Sequence, residues 1–246
     1  MKGPSHLRPP VEDAKPIVIL HGLFGQKQNW RSLSRAMAKS LETNVYAVDL
    51  RNHGTSPHHP DMRTTSVARD VLHFFNTHGL SQVSLIGHSM GGKVASALAL
   101  QPNISPDALS SLIIVDVTPA KIPISDDFAY YVHAMKALEA ANVPDLKSAY
   151  KVLSELNVEL PIQQITEIGD FPYEPGEVVW NGPTMVIRGT NSDYVTDERA
   201  AVVQKFFPNM QLKSLEAGHW VHSEKPAEFL QLVKEFLQAP SNPRQS

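Results

Sequence analysis

Residues 83–92, Val-Ser-Leu-Ile-Gly-His-Ser-Met-Gly-Gly, run an apolar strand straight into the pattern Gly-x-Ser-x-Gly. A turn this tight forces the serine at its apex into a strained backbone conformation and lifts its hydroxyl clear of the sheet edge. Gly87 and Gly91, two before and two after Ser89, keep the incoming strand and the outgoing helix from colliding with the turn. The helix that follows (Val94, Ala95, Leu98, Ala99) is built of small and apolar residues and aims the positive end of its dipole at the serine. A glycine-rich turn that merely packs a helix on a strand accounts for the glycines. It does not account for a serine at the apex.

The rest of the chain supplies the sheet that such a turn needs. Ile17–Leu20 and Val45–Leu50 read as short strands, and Trp30, Leu33, Met37 and Leu41 recur between them at helical spacing. Val67, Val71, Phe74 and Phe75 give the next helix one apolar face, and Leu112–Val117 is a further strand. The rhythm stops at Thr118 and resumes with Thr184–Arg188, a helix over 197–207, a strand at Gln211–Leu215 and a closing amphipathic helix through Phe229, Val233 and Leu237. Alternation of this kind predicts an α/β fold, a mostly parallel sheet with helices on both faces. The expected organisation is a flexible lead-in over 1–15, a core formed by 16–117 and 183–239, a helical cap inserted at 118–182, and a frayed tail at 240–246. Within the cap, Phe128, Val132, Met135 and Leu138 mark one helix and 146–156 another.

A serine hydroxyl needs a base to become a nucleophile at neutral pH. Of the eleven histidines, His219 in Ala217-Gly218-His219-Trp220 stands on the loop after the last strand. In a parallel sheet that loop opens at the same edge as the Ser89 turn. His6, His58, His73, His78 and His133 read as surface or structural histidines, and His88 as packing for the turn. His222 lies one helical turn beyond His219, but no carboxylate stands at metal-ligand spacing from the pair. The base needs an acid to hold its tautomer. Asp116, at the end of the strand after the serine turn, is favoured. Asp193 is the alternative: it follows the next strand in Arg188-Gly189-Thr190-Asn191-Ser192-Asp193, where the usual Gly-x-x-Asp spacing would put an acid at position 192. That position is Ser192, so Asp193 falls one residue late. The loop His21-Gly22-Leu23-Phe24-Gly25 is the expected second half of an oxyanion hole, with the backbone N–H groups of Leu23 and Met90 as its two donors.

Several classes are disfavoured. A net charge of −3 without a basic block argues against nucleic acid as partner, and the absence of cysteine removes thiolate catalysis and cysteine-ligated zinc. No apolar run approaches the roughly 20 residues of a membrane-spanning helix. The first fifteen residues hold three prolines and no apolar core of a secretory signal. No P-loop, dinucleotide fingerprint or EF-hand loop occurs, so no cofactor and no metal is expected.

Taken together, His21-Gly-Leu-Phe-Gly25, Asp49-Leu-Arg-Asn-His-Gly-Thr-Ser-Pro57, Gly87-His-Ser-Met-Gly-Gly-Lys93 and Gly218-His-Trp-Val-His222 resemble an α/β-hydrolase group. It comprises the α/β-hydrolase domain-containing protein 11 proteins, the YbfF-type bacterial esterases and the yeast ethanol acetyltransferases. The resemblance covers nearly the whole chain. It implies the α/β-hydrolase fold and a small-molecule acyl ester or thioester as substrate, cleaved by a carboxylesterase or thioesterase-type serine hydrolase. Acyl transfer to an alcohol on the same site, or a non-catalytic partner-binding protein that keeps the fold, are the alternatives. It further implies a mitochondrial location in eukaryotic members, otherwise a cytoplasmic one, supports Asp116 as the acid, and gives Asn52 and His53 a loop-shaping role. Against the group's pattern, an N-terminal hairpin and a targeting sequence are expected to be absent. The cap is expected to be shortened between Leu160 and Pro172.

Overall fold

Six apolar segments pair into one sheet whose strands all run parallel: β1 (Ile17–Leu20), β2 (Val45–Val48), β3 (Val83–His88), β4 (Leu109–Val115), β5 (Thr184–Gly189) and β6 (Met210–Leu215). Their spatial order is β2-β1-β3-β4-β5-β6. The computed structural model describes residues 15–121, 126–154 and 170–239. The expected lead-in before residue 15, the tail from 240 and the shortened stretch of the cap lie outside these residues.

Strand order explains where a site can form. From β1 the chain steps outward to β2 on one side, and from β3 to β6 on the other. The loops that leave β1 and β3 therefore diverge, and the crevice beyond their carboxyl ends is the usual ligand position in such sheets. β1, β3 and β4 are almost wholly buried, as expected of strands covered on both faces. Side chains alternate across the pleat. Ile17, Ile19, Ile86, Ile113, Val115, Met185 and Ile187 enter one cluster with Trp30, Met37, Phe229 and Val233 from the helices of that face. On this face lie α1 (Arg31–Leu41) and a closing helix (Pro226–Gln238), while α2 (Thr64–Thr77) and α3 (Met90–Ala99) pack together, α3 lying directly on β3 and β4.

The remaining helices are α4 (Asp126–Ala141), α5 (Leu146–Ser154), α6 (Asp197–Phe206) and α7 (Val221–Glu224), and the closing helix is α8. α6 begins with Thr196, whose side chain accepts the Arg199 N–H, a cap worth about 1 kcal/mol. The sequence pattern did not anticipate the 3-10 turn at Lys27–Trp30 or α7, both too short to carry a period. β2 ends two residues before Leu50, because Asp49 turns aside to accept bonds from Lys27 and Thr55.

The chain divides into two units. One comprises 1–120 and 171–246, the other Lys121–Asp170, in which α4 and α5 pack against each other and Asp145 caps α5 through the Ser148 N–H. The second unit is narrower than the 118–182 expected from the sequence. Residues 171–182 belong with the sheet because Phe171 is fully buried against Phe206, and the Trp180 N–H binds the Phe206 carbonyl at 2.9 Å. At the other boundary, the Thr118 hydroxyl binds the Tyr194 carbonyl at 2.8 Å.

Candidate active site

Ser89 sits between β3 and α3 with φ 52° and ψ −122°, a region an L-residue enters only under constraint, at a cost of about 1–3 kcal/mol. The constraint is visible in its neighbours. A Cβ on Gly87 would run into the Gly91 carbonyl, and one on Gly91 would come within 2.5 Å of the His21 carbonyl oxygen. Only glycine at both places lets strand, turn and the β1 loop approach so closely. The Ser89 N–H is held by the Val115 carbonyl at 3.0 Å, which ties the turn to β4.

Across the sheet edge, three side chains form a line. His219 Nε2 lies 2.9 Å from Ser89 Oγ, and His219 Nδ1 lies 2.8 Å from Asp116 Oδ2. A carboxylate only accepts, so Nδ1 carries the proton and Nε2 presents its lone pair to the serine hydroxyl. His219 is partly exposed and Asp116 is completely buried. Burial of a carboxylate is costly unless donors surround it. Here the Gly189 N–H donates to Oδ1 at 3.0 Å, while the Ser192 hydroxyl donates to Oδ2 at 2.5 Å beside His219. Asp116 reaches this position through a left-handed backbone, φ 47°, at the point where β4 gives way to its loop. Asp193 does not join it. It is exposed, and its carbonyl is taken by the Arg199 guanidinium.

The β1 loop lies against the serine: a Cβ on Gly22 would sit 3.1 Å from Ser89 Cβ. The backbone N–H groups of Leu23 and Met90 have no acceptor among the described residues. Histidines brace this loop from below. His21 donates from Nδ1 to the Gly22 carbonyl at 2.8 Å and accepts the Leu50 N–H at Nε2, 3.1 Å. His53 accepts the Phe24 N–H at 3.3 Å and donates from Nδ1 to the Arg51 carbonyl at 2.9 Å. Burial pushes the His21 ring below its ordinary pKa, against the opposing pull of the Gly22 carbonyl. Asp49 anchors the following loop. Burial opposes its charge, but the Lys27 ammonium at 2.5 Å, with N–H groups of Lys27 and Thr55, holds its carboxyl well below the usual range.

Three contributors to this site were missed by sequence reasoning. Ser192 was recognised only as occupying the place of an absent acid, whereas its hydroxyl donates to the Asp116 carboxylate. Tyr194 lays its ring on the His219 imidazole, centroids 4.1 Å apart at 24°. His88 bonds to the His219 backbone at 2.9 Å. The Gly-x-x-Ser spacing after β5 was a usable signal for the first. The others depend on contacts between distant parts of the chain. Among the described residues no three His, Cys, Asp or Glu side chains are grouped to hold a metal ion, and no helix is long and apolar enough to cross a membrane.

Fold and site together define a class, and comparison with known proteins agrees. The chain belongs to the α/β-hydrolase family, whose pattern, described as "alpha/beta hydrolase fold", matches residues 15–140. It is 36% identical to the sn-1-specific diacylglycerol lipase ABHD11 of Mus musculus, over 90% of this chain and 80% of that protein. It is 34% identical to an abhydrolase domain-containing protein of Schizosaccharomyces pombe, covering 90% and 92%, and 32% identical to a probable alcohol acetyltransferase of Saccharomyces cerevisiae, covering 91% and 77%. Among solved structures, a marine microorganism esterase superposes with a TM-score of 0.73 at 29% identity, covering 92% of this chain and 97% of its own. The protein is thus an enzyme of the hydrolase class.

Proposed function

We propose that this protein is a serine hydrolase that cleaves carboxylic esters or thioesters of short to medium acyl groups through an acyl-enzyme on Ser89. One observation carries the reading: the unbroken hydrogen-bonded line from Asp116 through His219 to the Ser89 hydroxyl, with spans of 2.8 and 2.9 Å. In the first half-reaction His219 Nε2 takes the Ser89 proton as Oγ bonds to the acyl carbon. The carbonyl oxygen becomes an oxyanion facing the N–H groups of Leu23 and Met90. Collapse breaks the ester bond, and His219 returns the proton to the departing alcohol or thiol. In the second half-reaction His219 deprotonates a water, which releases the acid and restores Ser89. Asp116 stabilises the imidazolium at each step and stays ionised.

The relative named as a diacylglycerol lipase makes glycerolipid esters one substrate class within this reading. A second reading has an alcohol replace water in the second half-reaction, making the same site an acyltransferase. Its support is the relative named as a probable alcohol acetyltransferase. Product analysis with an acyl ester in the presence of ethanol separates the two, free acid against ethyl ester.

The experiment that tests the proposal is labelling with a fluorophosphonate probe. Wild-type protein is expected to label, and Ser89→Ala is expected not to. Absence of labelling in wild type, or equal labelling of both, overturns the reading in favour of a non-catalytic partner-binding protein.

A further inference from the structure

The residue before the nucleophile is a fully buried histidine, and the proton transfers above make no use of it. His88 Nε2 lies 2.9 Å from the backbone carbonyl oxygen of His219, 131 positions away in the chain. A carbonyl can only accept, so the proton of the neutral ring is on Nε2 and Nδ1 is bare. That bare nitrogen has no hydrogen-bond partner among the described residues. It lies against Gly22, where a Cβ would come within 2.8 Å of it. Burial, with His222 and His219 close by, pushes the His88 pKa well down and keeps the ring neutral.

The His219 backbone is held at few points. On one side the Gly218 N–H is bound by Glu224, an exposed contact at 2.8 Å. On the other, the carbonyl of Trp220 is engaged by α7, through the N–H groups of Ser223 and Glu224. The His219 carbonyl between them is met by His88. The imidazole must meet Ser89 Oγ and Asp116 Oδ2 at once, which tolerates only a few tenths of an ångström of drift in the backbone that carries it. Because His88 is bonded covalently to Ser89, its hydrogen bond places nucleophile and base in one frame.

We propose that His88 is a positioning residue that locks the base to the nucleophile: its Nε2–H holds the His219 carbonyl while its opposite edge packs on the oxyanion loop at Gly22. The inference rests on Ser89 and His219 reacting as described above. The donor is what matters, so the ring can be replaced by a side chain that keeps the N–H in the same place. The amide nitrogen of glutamine reaches about as far along the side chain as imidazole Nε2; phenylalanine fills the volume but donates nothing.

The test compares His88→Phe with His88→Gln. Each is assayed for steady-state hydrolysis of p-nitrophenyl butyrate and for fluorophosphonate labelling rate, with thermal unfolding followed alongside. For His88→Phe, kcat and the labelling rate are expected to fall roughly 10–100-fold with KM within about twofold, the signature of lost alignment. For His88→Gln, both are expected to recover to within about fivefold of wild type. Should His88→Phe not fold, His88→Met makes the same comparison. Equal rates in the Phe (or Met) and Gln variants, or an unchanged kcat in His88→Phe, overturn the proposal. Labelling of the wild type reports on the Ser89 reading separately, so failure of one is not mistaken for failure of the other.

Discussion

His219 stands between two unlike regions. On its Nδ1 side a buried carboxylate collects the Gly189 N–H, the Ser192 hydroxyl and the imidazole itself. On the other side the neighbours are rings: His88 at 4.8 Å and Trp220 at 5.9 Å, with His222 beyond, stacked on Trp30 at 4.0 Å. The first region is arranged to accept a positive charge on His219 and the second to refuse one on its own histidines. Burial, with His219 nearby, lowers the His222 pKa to about 4. Three histidines whose rings gather around His88, with His219 at 4.8 Å and His222 at 4.6 Å from it, therefore serve different ends, because a ring is tuned by what surrounds it.

The sharpest way to break this contrast is at the acid. Asp116→Asn is expected to lower kcat/KM for ester hydrolysis by about 10⁴-fold, since the amide reverses the imidazole tautomer while keeping its shape. Asp193→Asn is expected to stay within about twofold, because that carboxylate faces solvent. If Asp193→Asn is the variant that collapses, the acid has been misassigned.

Next in size is the pH dependence of stability on the ring-lined side. The folded pKa of His222 lies below its ordinary value of 6.5, so between 6.5 and about 4 the unfolded chain binds more protons than the folded one. Its contribution is complete above 6.5 and is lost as pH falls toward 4, by on the order of 3 kcal/mol. His88 and His21 are shifted in the same direction and steepen the loss. Urea unfolding midpoints between pH 7.5 and pH 4.5 check this. His222→Phe, which keeps a ring against Trp30, is expected to flatten the curve. An unaltered slope in that variant would mean that His222 is not held neutral.

A smaller loss than at Asp116 is expected at Ser192. Its hydroxyl makes one hydrogen bond to a charged acceptor, and Ser192→Ala removes the bond while leaving the Gly189 N–H and His219 on Asp116. A loss of about tenfold in kcat/KM, near 1.4 kcal/mol, is expected from steady-state assays. A loss as large as that of Asp116→Asn would show that Ser192 governs the tautomer rather than supporting it.

Much of this was legible in the chain. The Ser89 turn announces itself because strand, glycine pair and helix are contiguous, and β1 was placed to the residue by an apolar run with clear limits. His219 was legible because the last strand and last helix bracket a short loop whose side of the sheet is set by parallel topology. The acid was harder. Asp116 and Asp193 each end a strand at the proper edge, and one residue of slip on a tight loop turns a side chain through a large angle. Pattern cannot resolve that angle. In the structure a left-handed backbone carries the Asp116 carboxylate to within 2.8 Å of His219 Nδ1, with the Gly189 N–H and the Ser192 hydroxyl donating to it. The compact unit Lys121–Asp170 differs from the expected 118–182 for a similar reason, since Phe171 has no local period and is buried against Phe206.

What the sequence determined by itself are the features made by neighbours in the chain: the alternating parallel fold, the strained serine, the glycines that permit it, and the loops that bear His219 and Leu23. What only the tertiary structure decided are the partnerships across long stretches of chain: Asp116 with Ser192, Tyr194 upon His219, and His88 at the carbonyl of His219. The reason is physical. Local conformation is fixed by sterics and spacing over a few residues, whereas a hydrogen bond depends on separations of a few tenths of an ångström between groups that only the packed sheet brings together.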